Sequence, residues 1–295
     1  MTSAVSVELL VSDRADVGEG PLWDSEAGLL YWVDISRGDL HSWNPRTGSQ
    51  MVTETGQSLG SIALAEDGKL LLALRDGLHV LDKASGKIEI MLPIDYDMPQ
   101  RSLNDSACDR LGRLWVGSVA DDETPRSGCV YRVDAHLRVT QAIPATTLAN
   151  GIGWSPDDRV MYFADSSTFT VFAFDYHLDT GDASNRRSFV VTDPAQGLPD
   201  GLTVDEEGYI WVAYWGGGCV RRYSPEGELD RVLELPASQV SSCTFGGKKL
   251  DELYITTATY GLSPDQLAAE PTAGSLFRAS LNVRGLEPSR FRRVP

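Results

Sequence analysis

Glu19, Asn104, Asn150 and Asp200 are the side chains whose type and spacing could do chemistry. Each offers a carboxylate or carboxamide oxygen, and each heads one copy of a recurring segment; Gly60 and Ser242 head two further copies. Hard oxygen donors gathered at one point suit Ca²⁺, Mg²⁺ or Mn²⁺, with water completing the shell. Glu19 and Asp200 together supply the charge that balances a divalent ion. Taken singly, Asn150-Gly151 and Asp200-Gly201 read as ordinary turn dipeptides, because Asn and Asp readily bond nearby backbone. Their placement at homologous points of the repeat favours a bound ion or polar ligand. Other chemistries lack their signatures. The sequence has no HExxH, GxSxG, P-loop or GxGxxG motif, which removes zincins, α/β-hydrolases, P-loop NTPases and Rossmann enzymes.

The elements that must position these residues follow from the repeat. Copies begin at 19, 60, 104, 150, 200 and 242, separated by 41, 44, 46, 50 and 42 residues. Each runs from a short apolar strand through a Gly-containing turn into a second strand such as Leu29-Leu30-Tyr31-Trp32-Val33 or Ile210-Trp211-Val212. A third strand follows, as in Gly128-Cys129-Val130-Tyr131-Arg132. Units of 40–50 residues made of short strands and Gly-rich turns are blades. The expectation is an all-β protein, a six-bladed β-propeller, with one domain spanning 1–295. Seven short blades or a large β-sandwich are the runner-up architectures. The strand at 5–11 and Leu276-Phe277-Arg278 should share a blade and close the ring, and 263–269 could form one helical turn. Innermost strands of a propeller line a channel, so the six repeat heads should form a ring at its mouth.

Composition narrows the partners. Lys and Arg total 26 against 42 Asp and Glu, a net charge of −16, and such a field repels nucleic acid and welcomes cations. No apolar run is long enough to span a bilayer, which predicts no membrane partner. The first residues lack the basic start and apolar core of a signal peptide, which predicts a cytoplasmic protein. Cys108, Cys129, Cys219 and Cys243 show no metal-ligand spacing and should be free and largely buried. A monomer or weak homo-oligomer is expected.

Several segments carry a resemblance. Gly18-Glu19-Gly20-Pro21-Leu22-Trp23, Asn104-Asp105, Gly112-Arg113-Leu114-Trp115-Val116-Gly117 and Asn150-Gly151-Ile152-Gly153-Trp154-Ser155 are similar to the gluconolactonase/regucalcin (senescence marker protein) family. So are Phe172-Ala173-Phe174-Asp175-Tyr176, Pro199-Asp200-Gly201 and Cys243-Thr244-Phe245-Gly246-Gly247, and the ordered set covers nearly the whole chain. The resemblance implies a six-bladed propeller with one divalent cation held by Glu19, Asn150 and Asp200. It places Ca²⁺ first, with Zn²⁺, Mn²⁺, Mg²⁺ or Fe²⁺ as other candidates. Asn104 would face the substrate, a sugar lactone such as gluconolactone. The chemistry of lactone hydrolysis itself calls for a base, and Asp200, or an acid beside it, is expected to take the proton of the attacking water.

The family pattern sets a substrate-binding Arg two residues before that Asn. Here Arg101-Ser102-Leu103-Asn104 puts Arg101 three before, and a one-residue shift on a strand reverses a side chain's face unless a bulge intervenes. A further acidic contact falls on Asp121 or, preferred, Asp122. Tyr214 and Trp215 could wall the pocket. The alternatives within the same family resemblance are a calcium-binding regulatory protein and an organophosphate-hydrolysing propeller enzyme using the same metal site. A protein-interaction propeller has no need for four oxygen donors at one mouth.

Overall fold

A computed structural model describes residues 5–94 and 101–294. Six four-stranded antiparallel sheets are arranged in a ring, as expected of a six-bladed propeller. Five blades are each built from consecutive strands. The sixth is shared by both ends of the chain: Val7–Val11 pairs antiparallel with Leu276–Ser280 outside Val240–Gly246 and Glu252–Thr257. The predicted closure is therefore present. The helical turn is also present as Pro264–Ala269, started by a reciprocal capping box between Ser263 and Gln266.

The apolar residues of the repeats bury themselves between blades. Six clusters of buried side chains lie at the six interfaces; one holds Tyr31, Val33 and Leu40 of blade 1 against Ile62, Leu64 and Leu72 of blade 2. Both faces of the second strand of most blades are therefore covered, which is why segments such as Leu29–Asp34, Leu70–Leu74 and Ile210–Trp215 read as nearly continuous apolar runs. Trp115 and Trp211 are fully buried, and in each case the indole N–H donates to an Asp six residues earlier, Asp109 at 3.1 Å and Asp205 at 2.9 Å. These Asp residues also bind Arg113 and Arg222, so each hairpin turn is locked to its blade by one buried acid.

The innermost strands are Gly18–Asp24, Leu59–Leu64, Arg101–Cys108, Ala149–Trp154, Leu198–Val204 and Val240–Gly246. Every one is irregular near its start: the pairing register shifts between Glu19 and Leu22, Leu59 and Ser61, Leu103 and Ser106, Ala149 and Ile152, Pro199 and Leu202, and Val240 and Ser242. A bulge leaves residues unpaired and re-aims their side chains. The repeat heads sit at these irregularities.

Candidate metal centre

The bulges settle the reading of the Gly dipeptides. Asn150-Gly151 and Asp200-Gly201 lie inside strands, not in turns. Glycine is required there by close approach. A Cβ on Gly151 would meet Leu202 N of the next blade at 2.6 Å, and one on Gly201 would meet Ser242 Oγ at 2.0 Å. Blade packing thus demands glycine immediately after two of the candidate ligands.

Glu19, Asn150 and Asp200 are each 6% exposed, and they converge from blades 1, 4 and 5. Two buried acids set their approach. Asp34 accepts from the N–H groups of Asp16 at 2.8 Å and Val17 at 3.2 Å, fixing the loop that enters the strand of Glu19. Asp165 likewise accepts from Thr147 and Leu148, at 3.2 Å and 3.0 Å, just before Asn150. The Asn150 amide is oriented by its partners: Nδ2 donates to Ser166 Oγ at 2.7 Å, and Oδ1 accepts from Asn104 Nδ2 at 2.6 Å. Oδ1 keeps a second lone pair for a further partner. Asn104 also donates to Ala149 O at 2.8 Å, while its own carbonyl accepts from Ser61 Oγ at 2.6 Å. Asn104 therefore ties three blades together beside the carboxylates.

The carboxyl groups are in electrostatic conflict. Burial, and after it the charges of Asp200 and Asp105, push Glu19 well above the ordinary carboxylate range; the Gly20 N–H and the Ser242 hydroxyl oppose this. Burial and the charge of Asp105 push Asp200 up in the same way. Asp105 itself is raised to about 6, mainly by burial, against one hydrogen bond from the Ser106 N–H. The opposing groups are all neutral donors. Two buried carboxylates whose mutual repulsion is uncompensated, with the carboxamide of Asn150 on a neighbouring innermost strand, are a donor set that fits a divalent cation. Among the described residues no three His, Cys, Asp or Glu side chains are grouped closely enough to hold a metal by themselves. A carboxamide ligand is consistent with that, and Asp105 contributes field from behind.

Asp105 escaped the sequence reading although it adjoins Asn104. Strand alternation would turn it away from its neighbour; the bulge between Leu103 and Ser106 lets both approach the cluster. That bulge begins one step too late to move Arg101, which pairs regularly with Ala120 and lies on the strand face of Leu103, beside Tyr131. Asp122 is exposed, and its carboxylate is held below the ordinary range by bonds to Thr124. Its neighbour Asp121 pairs with Arg75 of blade 2. The structure thus brings Glu19, Asn104, Asn150 and Asp200 together and leaves Arg101 and Asp122 outside the buried cluster. Tyr214 is a correction: it is wholly buried between blades 4 and 5, its hydroxyl bonded to Thr192 and Tyr223, so it walls no pocket. Trp215 is half-buried, at the end of its strand nearest the cluster. The four cysteines are free as expected, with only Cys108 partly exposed.

The chain also matches known proteins along its length. The family model described as the SMP-30/Gluconolactonase/LRE-like region matches residues 17–259. Rabbit (Oryctolagus cuniculus) regucalcin is 32% identical over 293 residues, covering 97% of this chain and 98% of the relative. YvrE of Bacillus subtilis strain 168, whose name assigns it provisionally to the sugar lactone lactonases, is 34% identical over 280 residues, covering 94% and 96%. Among solved structures, a regucalcin from Agrobacterium tumefaciens described as a calcium-binding protein superposes with a TM-score of 0.94 at 28% identity, covering 98% of each chain. Matched over most of its length by sequence, and by the ring of blades that carries Glu19, Asn150 and Asp200, the chain belongs to the SMP-30/gluconolactonase/LRE-like family.

Proposed function

We propose that this protein is a divalent-cation-dependent hydrolase of sugar lactones such as gluconolactone, with Glu19, Asn150 and Asp200 as cation ligands. One observation carries the reading: Glu19 and Asp200 are buried, mutually repelling carboxylates on innermost strands of the ring that also carries Asn150. Such a cluster is costly without a cation and favourable with one. The relation to YvrE supports a lactone as substrate, and the relation to the Agrobacterium regucalcin supports Ca²⁺ as first candidate ion.

When bound, the cation supplies Lewis acidity toward the lactone carbonyl. The chain's own residues do the rest. Asp200 takes a proton from the water whose oxygen forms the new bond to the carbonyl carbon. The ring C–O bond then breaks, the leaving alkoxide takes the proton held by Asp200, and one hydroxy acid results from one lactone and one water. Asn104, fixed by its Nδ2 bonds to Asn150 and Ala149, presents its side-chain Oδ1 to a sugar hydroxyl.

The test is a pH-indicator assay on a sugar-lactone panel after chelator treatment, with Ca²⁺, Zn²⁺, Mn²⁺, Mg²⁺ and Fe²⁺ restored separately. Turnover should vanish on stripping and return with one ion. Tight cation binding with no turnover on any lactone would overturn the enzymatic reading in favour of a calcium-binding regulatory protein. Turnover of a fluorophosphate alone would instead identify the organophosphate chemistry.

A further inference from the structure

Below the carboxylates the channel continues. A cavity of about 200 Å³ runs inside the ring, bordered by Gly20, Ser61, Asp105, Thr203, Ser242 and Thr244. Its upper end reaches the metal centre, since Asp105 acts on both Glu19 and Asp200 and the Ser242 hydroxyl bonds Glu19. At its lower end lie Arg110 and Asp158, paired at 2.9 Å, with Glu287 and Ser289 of the C-terminal segment. Several residues in the middle of innermost strands, Ser106, Ala107 and Thr203 among them, are only half-buried, although these strands lie deepest in the ring. The space that exposes them is water-sized. Trp154 also borders this cavity, and its buried indole N–H has no acceptor in the protein. Buried polar atoms of that kind are normally satisfied by internal water. At roughly 30 Å³ per molecule, the cavity holds about seven waters.

The C-terminal segment shapes the exit. Its backbone bonds Glu206 and Leu250 near Gly285, then Leu64 and Glu66 at Phe291, then Gly112 at Arg292, and Glu287 accepts from Ser25. Blades 5, 6, 1, 2 and 3 are thus fastened to it. Among the described residues no hydrogen bond fastens it to blade 4, whose Asp158 stands at the cavity's lower end.

From these features we infer a second, solvent entrance to the site: the lower channel is a water conduit that keeps the buried carboxylates in exchange with the lower face while a substrate fills the upper mouth. This rests on the lactonase reading for its consequence. Each turnover consumes one water, and a lactone seated on the cation blocks the direct route. Replacement water then comes from below, past Thr203 and Ala107, leaving between the C-terminal segment and blade 4.

Plugging the channel away from the carboxylates tests this. Thr203→Leu makes no change to the candidate ligands, and Ala107→Leu is a second plug should the first fold poorly. High-resolution crystal structures should show a file of ordered waters from Asp105 to Ser289 in the wild-type protein and its loss in either variant. With saturating lactone, kcat should fall tenfold or more while KM and the cation Kd stay within twofold. A dry wild-type channel, or full kcat in a variant whose waters are gone, overturns the conduit. A water file in a wild-type protein that hydrolyses no lactone supports the channel and defeats the lactonase reading instead.

Discussion

At the scale of single residues, the candidate centre is defined by what its acids cannot do alone. Asp200→Ala should abolish both cation retention and lactone turnover, read by metal analysis and the indicator assay; full activity in that variant would remove Asp200 from the site. Asp165→Ala should act indirectly. It frees the Thr147 and Leu148 N–H groups, lets Asn150 drift, and should weaken cation affinity about tenfold or more by titration, with a smaller effect on turnover at saturating cation. The pKa directions give a pH dependence. Asp105, Glu19 and Asp200 are all raised on folding, so the folded protein binds more protons than the unfolded chain above about pH 4. Stability of the cation-free protein should therefore fall as pH rises from about 4 through the folded pKa of Asp105, about 6, and on through those of Glu19 and Asp200. Added Ca²⁺ should reverse that loss at pH 7 to 8, read as a rise in melting temperature; indifference to both pH and cation would contradict the clustered acids. Glu19, Asn150 and Asp200 were legible because each follows the repeat. Asp105 and the approach-setting pair Asp34 and Asp165 were not, because a bulge and a loop's orphan N–H groups leave no period in the sequence.

At the scale of the element, the repeating hairpin explains why so much of the fold could be read. The Gly-turn-Trp pattern of Asp109 to Trp115 and Asp205 to Trp211 marks the same buried acid receiving an indole N–H and a guanidinium. Strand starts and turns were legible from this alternation. The direction of Arg101 was not: it depends on where the bulge falls, and pairing, not residue type, decides that. Asp109→Ala leaves Arg113, itself buried, without its carboxylate and unties the Tyr176 hydroxyl at 2.7 Å. Loss of one partner of a buried pair costs about 3–5 kcal/mol. Urea denaturation should show a decrease of that size, with cation affinity little changed, because Asp109 lies at the hairpin end opposite the candidate ligands.

At the scale of the molecule, the ring has no central core and depends on six interfaces and one closure. Val7–Val11 is the outer strand of blade 6, and Val11 packs with Trp23 and Leu276 across the seam to blade 1. Deleting residues 1–12 bares the edge of Leu276–Ser280. The shortened protein should unfold at lower denaturant and self-associate, read by light scattering, since an unpaired edge strand is a template for another chain. Pairing of Val7 with Ala279 also imposes an order on the protein's birth. A ribosome delivers Val7–Val11 long before Leu276–Ser280 exists, so five blades can assemble while the sixth waits for that strand. Until then the seam stands open and the cluster around Trp23 lacks Leu276. The interval between finishing the fifth blade and making Leu276–Ser280 is where a cell's folding helpers have most to protect.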